Sequence, residues 1–166
     1  NATPVFSNSG QADTVNGVAS LTVSYTYAEP LKFYAQANSQ RLISEAVQFQ
    51  ASTANRIRFD SASYFPMTRL AGLDLSTASL IRAEVVDVYG NRTTPPSNTN
   101  AYLVAFTDNT CNTIASSSQT GDWTQIVSGQ TATFTNVGYT KTGLIYLAVC
   151  DSADCASGPM PVHKDC

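Results

Sequence analysis

Apolar and polar residues alternate with a period of two through most of this chain, in short runs bounded by Gly, Pro, Asn, Asp or Ser. That is the pattern of half-buried β-strands, not of helices. Between Val18 and Tyr27 the residues Leu21, Val23, Tyr25 and Tyr27 fall on one side, Pro30 interrupts, and Leu31 to Ala37 starts again. Val47 to Ala51 reads as another strand, whereas Leu42, Ile43, Ala46 and Val47 also fit one face of a helical turn, so residues 41–47 stay open between the two. Arg56-Ile57-Arg58-Phe59 then opens a longer series. Leu80 to Val88 sets Ile81, Ala83 and Val85 against Arg82 and Glu84, and Tyr89-Gly90-Asn91 makes a turn. Ala101 to Thr107, Thr131 to Thr135 and Leu144 to Cys150 complete the set, with Cys111 to Thr124 as a polar loop. Seven or so strands without helices between them predict an antiparallel sandwich in place of βαβ units.

The pattern also repeats. Moving Thr14–Asn38 forward by 112 positions without a gap sets Val15-Asn16-Gly17 on Val127-Ser128-Gly129, Tyr27 on Tyr139, Phe33 on Ile145 and Tyr34 on Tyr146. About seventy residues of strand-like sequence precede the second copy and have no equivalent before the first. The expected organisation is a partial repeat at 1–51 and a complete domain at 52–166. Half a β-unit cannot bury its own apolar face, so residues 1–51 are expected to be completed by the rest of the chain or by a partner.

The run Arg82 to Asn91, RAEVVDVYGN, resembles the strand, Asp, two residues, Gly-Asn signature of bacterial immunoglobulin-like domains of the invasin and intimin kind, with Asp87 at the Asp position. Gly129, TATFT at 131–135 and LIYLAV at 144–149 follow in that family's order, and the resemblance covers about residues 55–162. It implies an immunoglobulin-like β-sandwich of a surface protein, preceded by the closing strands of another such unit at 15–50. The four cysteines and the long loop from Cys111 to Thr124 depart from the family pattern.

Composition narrows the classes. Charged residues are only 13%, about half the usual share, and Ser and Thr fill 38 of 166 positions, a balance that suits extracellular material. A net charge of -3 with nine scattered Lys and Arg leaves no electrostatic footprint for nucleic acid. No run approaches the twenty or so apolar residues of a membrane span, and no basic start followed by an apolar run marks a signal peptide. The reading is a mature exported product whose anchor, if any, belongs to another polypeptide. Cys111, Cys150, Cys155 and Cys166 suit two disulfides better than a metal, since tight C-x2-C pairs are absent and Asp151 and Asp154 are hard ligands for zinc. Of the three connectivities, Cys111–Cys150 with Cys155–Cys166 is favoured.

The search for chemistry is mostly negative. Asp87 and Asn91 read as turn-formers, with a calcium site drawing on Asp60 or Asp108 as the lesser reading. His163, the lone histidine, lies three residues from the C-terminus and makes a poor general base, and Asp60, Asp74, Glu84 and Asp87 share no pairing motif. Trp123 beside the Ser-rich loop is either a packed lid or an exposed platform, and together with Tyr64 and Phe65 it is a candidate contact for a partner or a glycan. Asn91-Arg92-Thr93 and Asn1-Ala2-Thr3 match glycosylation acceptors, a reading that the bacterial resemblance opposes. The expected function is non-enzymatic and free of cofactor or metal: a structural subunit of an extracellular bacterial filament, pilus or adhesin at the cell surface, assembling through strand edges with other protein subunits, itself or a membrane-anchored partner. The alternative is a carbohydrate-binding or accessory module of a larger surface protein.

Overall fold

A computed structural model describes residues 3–63, 68, 70–77, 80–115 and 118–166. It divides into two compact units, Asn1–Ala51 and Ser52–Cys166. Among the described residues every element is a short strand, apart from 3-10 turns at Ser7–Gly10 and Leu75–Thr77, and every strand ladder is antiparallel. The chain is all-β.

Unit 1 consists of three two-stranded ladders: β1 (Val5–Phe6) with β2 (Val23–Ser24), β3 (Pro30–Leu31) with β6 (Val47–Gln48), and β4 (Tyr34–Ala37) with β5 (Gln40–Ile43). The long strand expected from Val18 to Tyr27 is reduced to Val23–Ser24. Alternation provides an apolar side, but a strand persists only where a neighbour supplies its hydrogen bonds, and β1 offers two residues. The open question at 41–47 is settled through Ile43: Gln40–Ile43 is the return arm of a hairpin whose two-residue loop places Asn38 at φ +56°. None of the described residues of this unit is buried. Phe6, Phe33, Phe49 and Tyr25 pack edge to face at 5.4–6.3 Å, while Val15, Val18, Leu42 and Ile43 stay largely exposed.

Unit 2 has a core. β7 (Arg56–Phe59), β8 (Ile81–Val86) and β12 (Thr131–Phe134) form one sheet in the order β12-β8-β7, while β9 (Asn100–Phe106), β11 (Thr124–Ile126), β14 (Tyr146–Cys150) and β15 (Lys164–Asp165) form another in the order β11-β9-β14-β15. β10 (Gln119–Gly121) pairs separately with β13 (Val137–Tyr139). Ile57, Ile81, Ala83, Val85, Ala132 and Phe134 from the first sheet share one buried cluster with Ala101, Leu103, Ala105 and Val149 from the second. Period-two alternation generates this directly, because every second side chain of β8 and β9 points to the same face. The opposite face of β9 and β14 is apolar too: Val104, Phe106, Ala148 and Cys150 pack with Cys111 and Cys155. That sheet is thus covered on both sides, and its strands read as nearly continuous apolar runs.

One expectation is corrected here. The stretch from Cys111 to Thr124 is not one polar loop, since Ile114 bridges Phe106, Gln119–Gly121 is β10, and Thr124 opens β11. Among the described residues of this stretch Ala115 and Trp123 join the main buried cluster and Cys111 the second, while β10 and β11 themselves stay mostly exposed. The chain after Cys150 is tied to both sheets. β15 lies beside β14, Val162 donates its N–H to the Asn55 carbonyl at 2.9 Å, and the Asp165 carboxylate accepts the Phe59 N–H at 2.9 Å. The C-terminus therefore spans from one sheet to the edge strand of the other.

Candidate functional site

The outer face of β7 and β8 carries the strongest concentration of charge. Arg58 and Glu84 are cross-strand partners on adjacent strands, so their side chains meet on one face, with Arg58 Nε donating to Glu84 Oε1 at 2.7 Å. Arg92, just beyond the turn, donates to Glu84 through Nε and to Asp60 through Nη2 at 2.9 Å. Arg82 closes the series on Asp60 at 2.6 Å. The order Arg58–Glu84–Arg92–Asp60–Arg82 is an unbroken alternation of sign in which both acids are buried and the arginines reach solvent. Burial works against the charge on Asp60, but the Ala62 N–H and the two guanidiniums outweigh it and hold its carboxyl below the ordinary range. Glu84 raises Arg92 in return, first through their hydrogen bond.

A shallow cleft of about 480 Å³ opens over this network, lined by Arg58, Phe59, Ser61, Glu84, Gly90 and Arg92. The nine basic residues that look scattered along the sequence are therefore partly gathered in space. The signal was present in the alternation of Arg56 and Arg58 with Ile57 and Phe59 facing Arg82 and Glu84, but the register that joins them belongs to the sheet.

Asp87 organises the neighbouring turn. Its carboxylate accepts the N–H groups of Tyr89 and Asn91 at 2.9 Å each, the Asn91 amide at 3.0 Å and, from far away in sequence, the Ser52 N–H at 2.9 Å. Gly90 supplies the φ of +88° that the turn requires. Burial opposes ionisation, yet these four donors together keep the carboxyl below its usual value. Asp87 is therefore a turn and anchor residue with its acceptor sites in use. Asp60 is committed to arginines, and Asp108 is held far below the carboxylate range by the Thr110 hydroxyl and the N–H groups of Thr113, Asn112 and Thr110, which also make it a local turn. No group of three or more His, Cys, Asp or Glu side chains converges on a cation position among the described residues.

All four cysteines are bonded, but the favoured pairing is corrected: the bridges are Cys111–Cys166 and Cys150–Cys155. The backbone turns sharply after β14, with Cys155 at φ +54°, and brings Cys155 to 5.2 Å from Cys150 between Cα atoms. β15 then runs back along β14 and delivers Cys166 to within 6.2 Å of Cys111. Spacing along the sequence favoured tying distant strands first and missed this return.

Trp123 is 8% exposed, sits in the main cluster and donates its indole N–H to the Thr120 carbonyl at 2.9 Å. The packed position replaces the exposed platform, and the ring face is not free for a sugar. The other candidate contacts, Tyr64 and Phe65, lie outside the described residues. His163 Nδ1 stands 3.5 Å from the carboxylate of Asp151, which is buried, accepts the Met160 N–H at 2.8 Å and leaves Oδ1 without a hydrogen-bond partner. Asp151 belongs to the loop closed by Cys150–Cys155, and the pair has no nucleophile bonded to it among the described residues. Among the described residues no helix is long and apolar enough to cross a membrane. No family model, curated protein or solved structure matches the chain.

Proposed function

We propose that this protein is a non-enzymatic structural subunit of an extracellular bacterial surface assembly, a filament, pilus or adhesin, in which unit 2 is an immunoglobulin-like sandwich and unit 1 is completed by another polypeptide. One observation carries the reading: unit 1 has no buried residue among those described, and its strands stand in pairs with apolar side chains exposed. Isolated two-stranded ladders are marginal in water, and unpaired edges are templates for strand addition. Two disulfides support a non-reducing compartment. Burial of Trp123 takes from the carbohydrate-binding alternative the residue on which it relied.

The test compares amide exchange in the purified chain with exchange in the native surface material. Residues 3–51 should exchange fast in the isolated chain and slowly in the assembly. Equal exchange in both, or native material in which the chain is monomeric, would overturn the proposal.

A further inference from the structure

The internal repeat, laid on the strands, points to the edge where completion takes place. Advancing Tyr34–Ala37 by 112 positions gives residues 146–149, so β4 is the counterpart of β14. β14 is hydrogen-bonded along both edges, to β15 on one and to β9 on the other, the latter in register from Tyr146 opposite Phe106 to Cys150 opposite Tyr102. β4 has the hairpin arm β5 along one edge, and among the described residues no strand lies along the other. The β14–β9 ladder is thus a completed interface, and the open edge of β4 is its equivalent one repeat earlier.

Backbone phase identifies the groups on that edge. In an antiparallel pair, successive residues turn their N–H and C=O alternately toward and away from the partner. The bond from the Ser44 N–H to the Phe33 carbonyl, 2.8 Å, sets Phe33, Ala35 and Ala37 toward β5 and turns Tyr34 and Gln36 to the open side. Around them Tyr34, Leu42 and Ile43 are each more than three-fifths exposed.

We infer that the open edge of β4, at Tyr34 and Gln36, receives an antiparallel strand from a second polypeptide, with apolar residues at alternate positions and a large one opposite Tyr34, as Phe106 of β9 stands opposite Tyr146. The inference rests on the assembly reading above and names its contact. Another copy of this chain is not the donor of that strand, because its own β9 is already paired with β11 on one side and β14 on the other. Main-chain hydrogen bonds would supply most of the attraction and the alternating side chains the register.

The experiment adds a synthetic peptide of residues 98–108, or a scrambled peptide of the same composition, to the full chain and follows amide exchange residue by residue. The Tyr34 and Gln36 amides should slow at least about tenfold with the β9 peptide alone, while Ala35 and Ala37, already bonded to β5, change little. Gln36→Pro removes an outward N–H without touching a β4–β5 bond and should abolish binding; Gln36→Ala keeps the N–H and should bind like the parent. Absence of binding, protection confined to unit 2, an equal effect of the scrambled peptide, or unchanged binding by Gln36→Pro would each overturn the inference. Self-association that protects the same two amides without peptide would make a second copy the occupant and overturn it as well. The assembly reading has its own outcome, since protection of unit 1 in native material away from β4 would sustain it while this contact fails.

Discussion

At the scale of single residues, unit 2 depends on a few carboxylates whose oxygens are fully engaged. Asp87 and Asp60 both have lowered pKa values in the folded state. A depressed carboxyl contributes stability that is complete above its unfolded value of about 4 and disappears as pH falls through the lower folded value. Unit 2 should therefore lose stability below about pH 4, and Asp87→Asn should flatten that acid arm in a urea titration repeated across pH. Asp87→Ala leaves the Ser52, Tyr89 and Asn91 donors without their acceptor, at a cost of about 2–3 kcal/mol in the same titration. Arg92→Met strips one partner from each of two buried acids, yet Arg58 and Arg82 remain on them and Arg92 is itself 45% exposed. Its cost should be smaller, about 1–2 kcal/mol, once screening by solvent is counted.

At the scale of elements, the C-terminal return decides how the two sheets of unit 2 are held. Cys111–Cys166 closes a separation of 55 residues and Cys150–Cys155 one of 5. Chain entropy then assigns about 4 kcal/mol to the long closure and about 2 kcal/mol to the short one. Replacing Cys111 and Cys166 by Ser should lower the melting temperature about twice as much as replacing Cys150 and Cys155, as read by calorimetry. The β10–β13 ladder has a different sensitivity. Gly121 sits at φ +85° and a Cβ there would stand 1.6 Å from the Asn136 carbonyl oxygen. Gly121→Ala should therefore destabilise unit 2 by more than the roughly 1 kcal/mol usual for losing a glycine at positive φ, because backbone must move as well.

At the scale of the whole molecule, the two units differ in what protects them. β8, β9 and β14 are flanked by strands on both edges and lie on a buried apolar cluster, whereas unit 1 offers two-stranded ladders and one half-exposed group of aromatic rings. Native-state exchange should find the Val85, Leu103 and Val149 amides opening only on global unfolding, and those of β1–β6 exchanging by local fraying in the isolated chain. Core alternation was legible from the start: Arg56–Phe59 is β7 as expected, and Ile81, Ala83 and Val85 point inward as read. The short strands β10, β11, β13 and β15 were not, because two or three residues carry too little periodicity to register, whether mostly polar as in β10, β11 and β15 or buried as in β13.

Local chemistry alone determined the strand character of the chain, the turn at Asp87–Asn91 and the oxidised state of the cysteines, since alternation, Asx hydrogen bonding and an even cysteine count act within a few residues or need no geometry. Tertiary structure decided the pairing of the sulfurs, the burial of Trp123, the joining of Arg58, Arg82 and Arg92 through Glu84 and Asp60, and the course of the C-terminus between the sheets. Each of these depends on which strands lie side by side. That choice is made by long-range hydrogen bonds and shared apolar burial, which no window along the sequence contains.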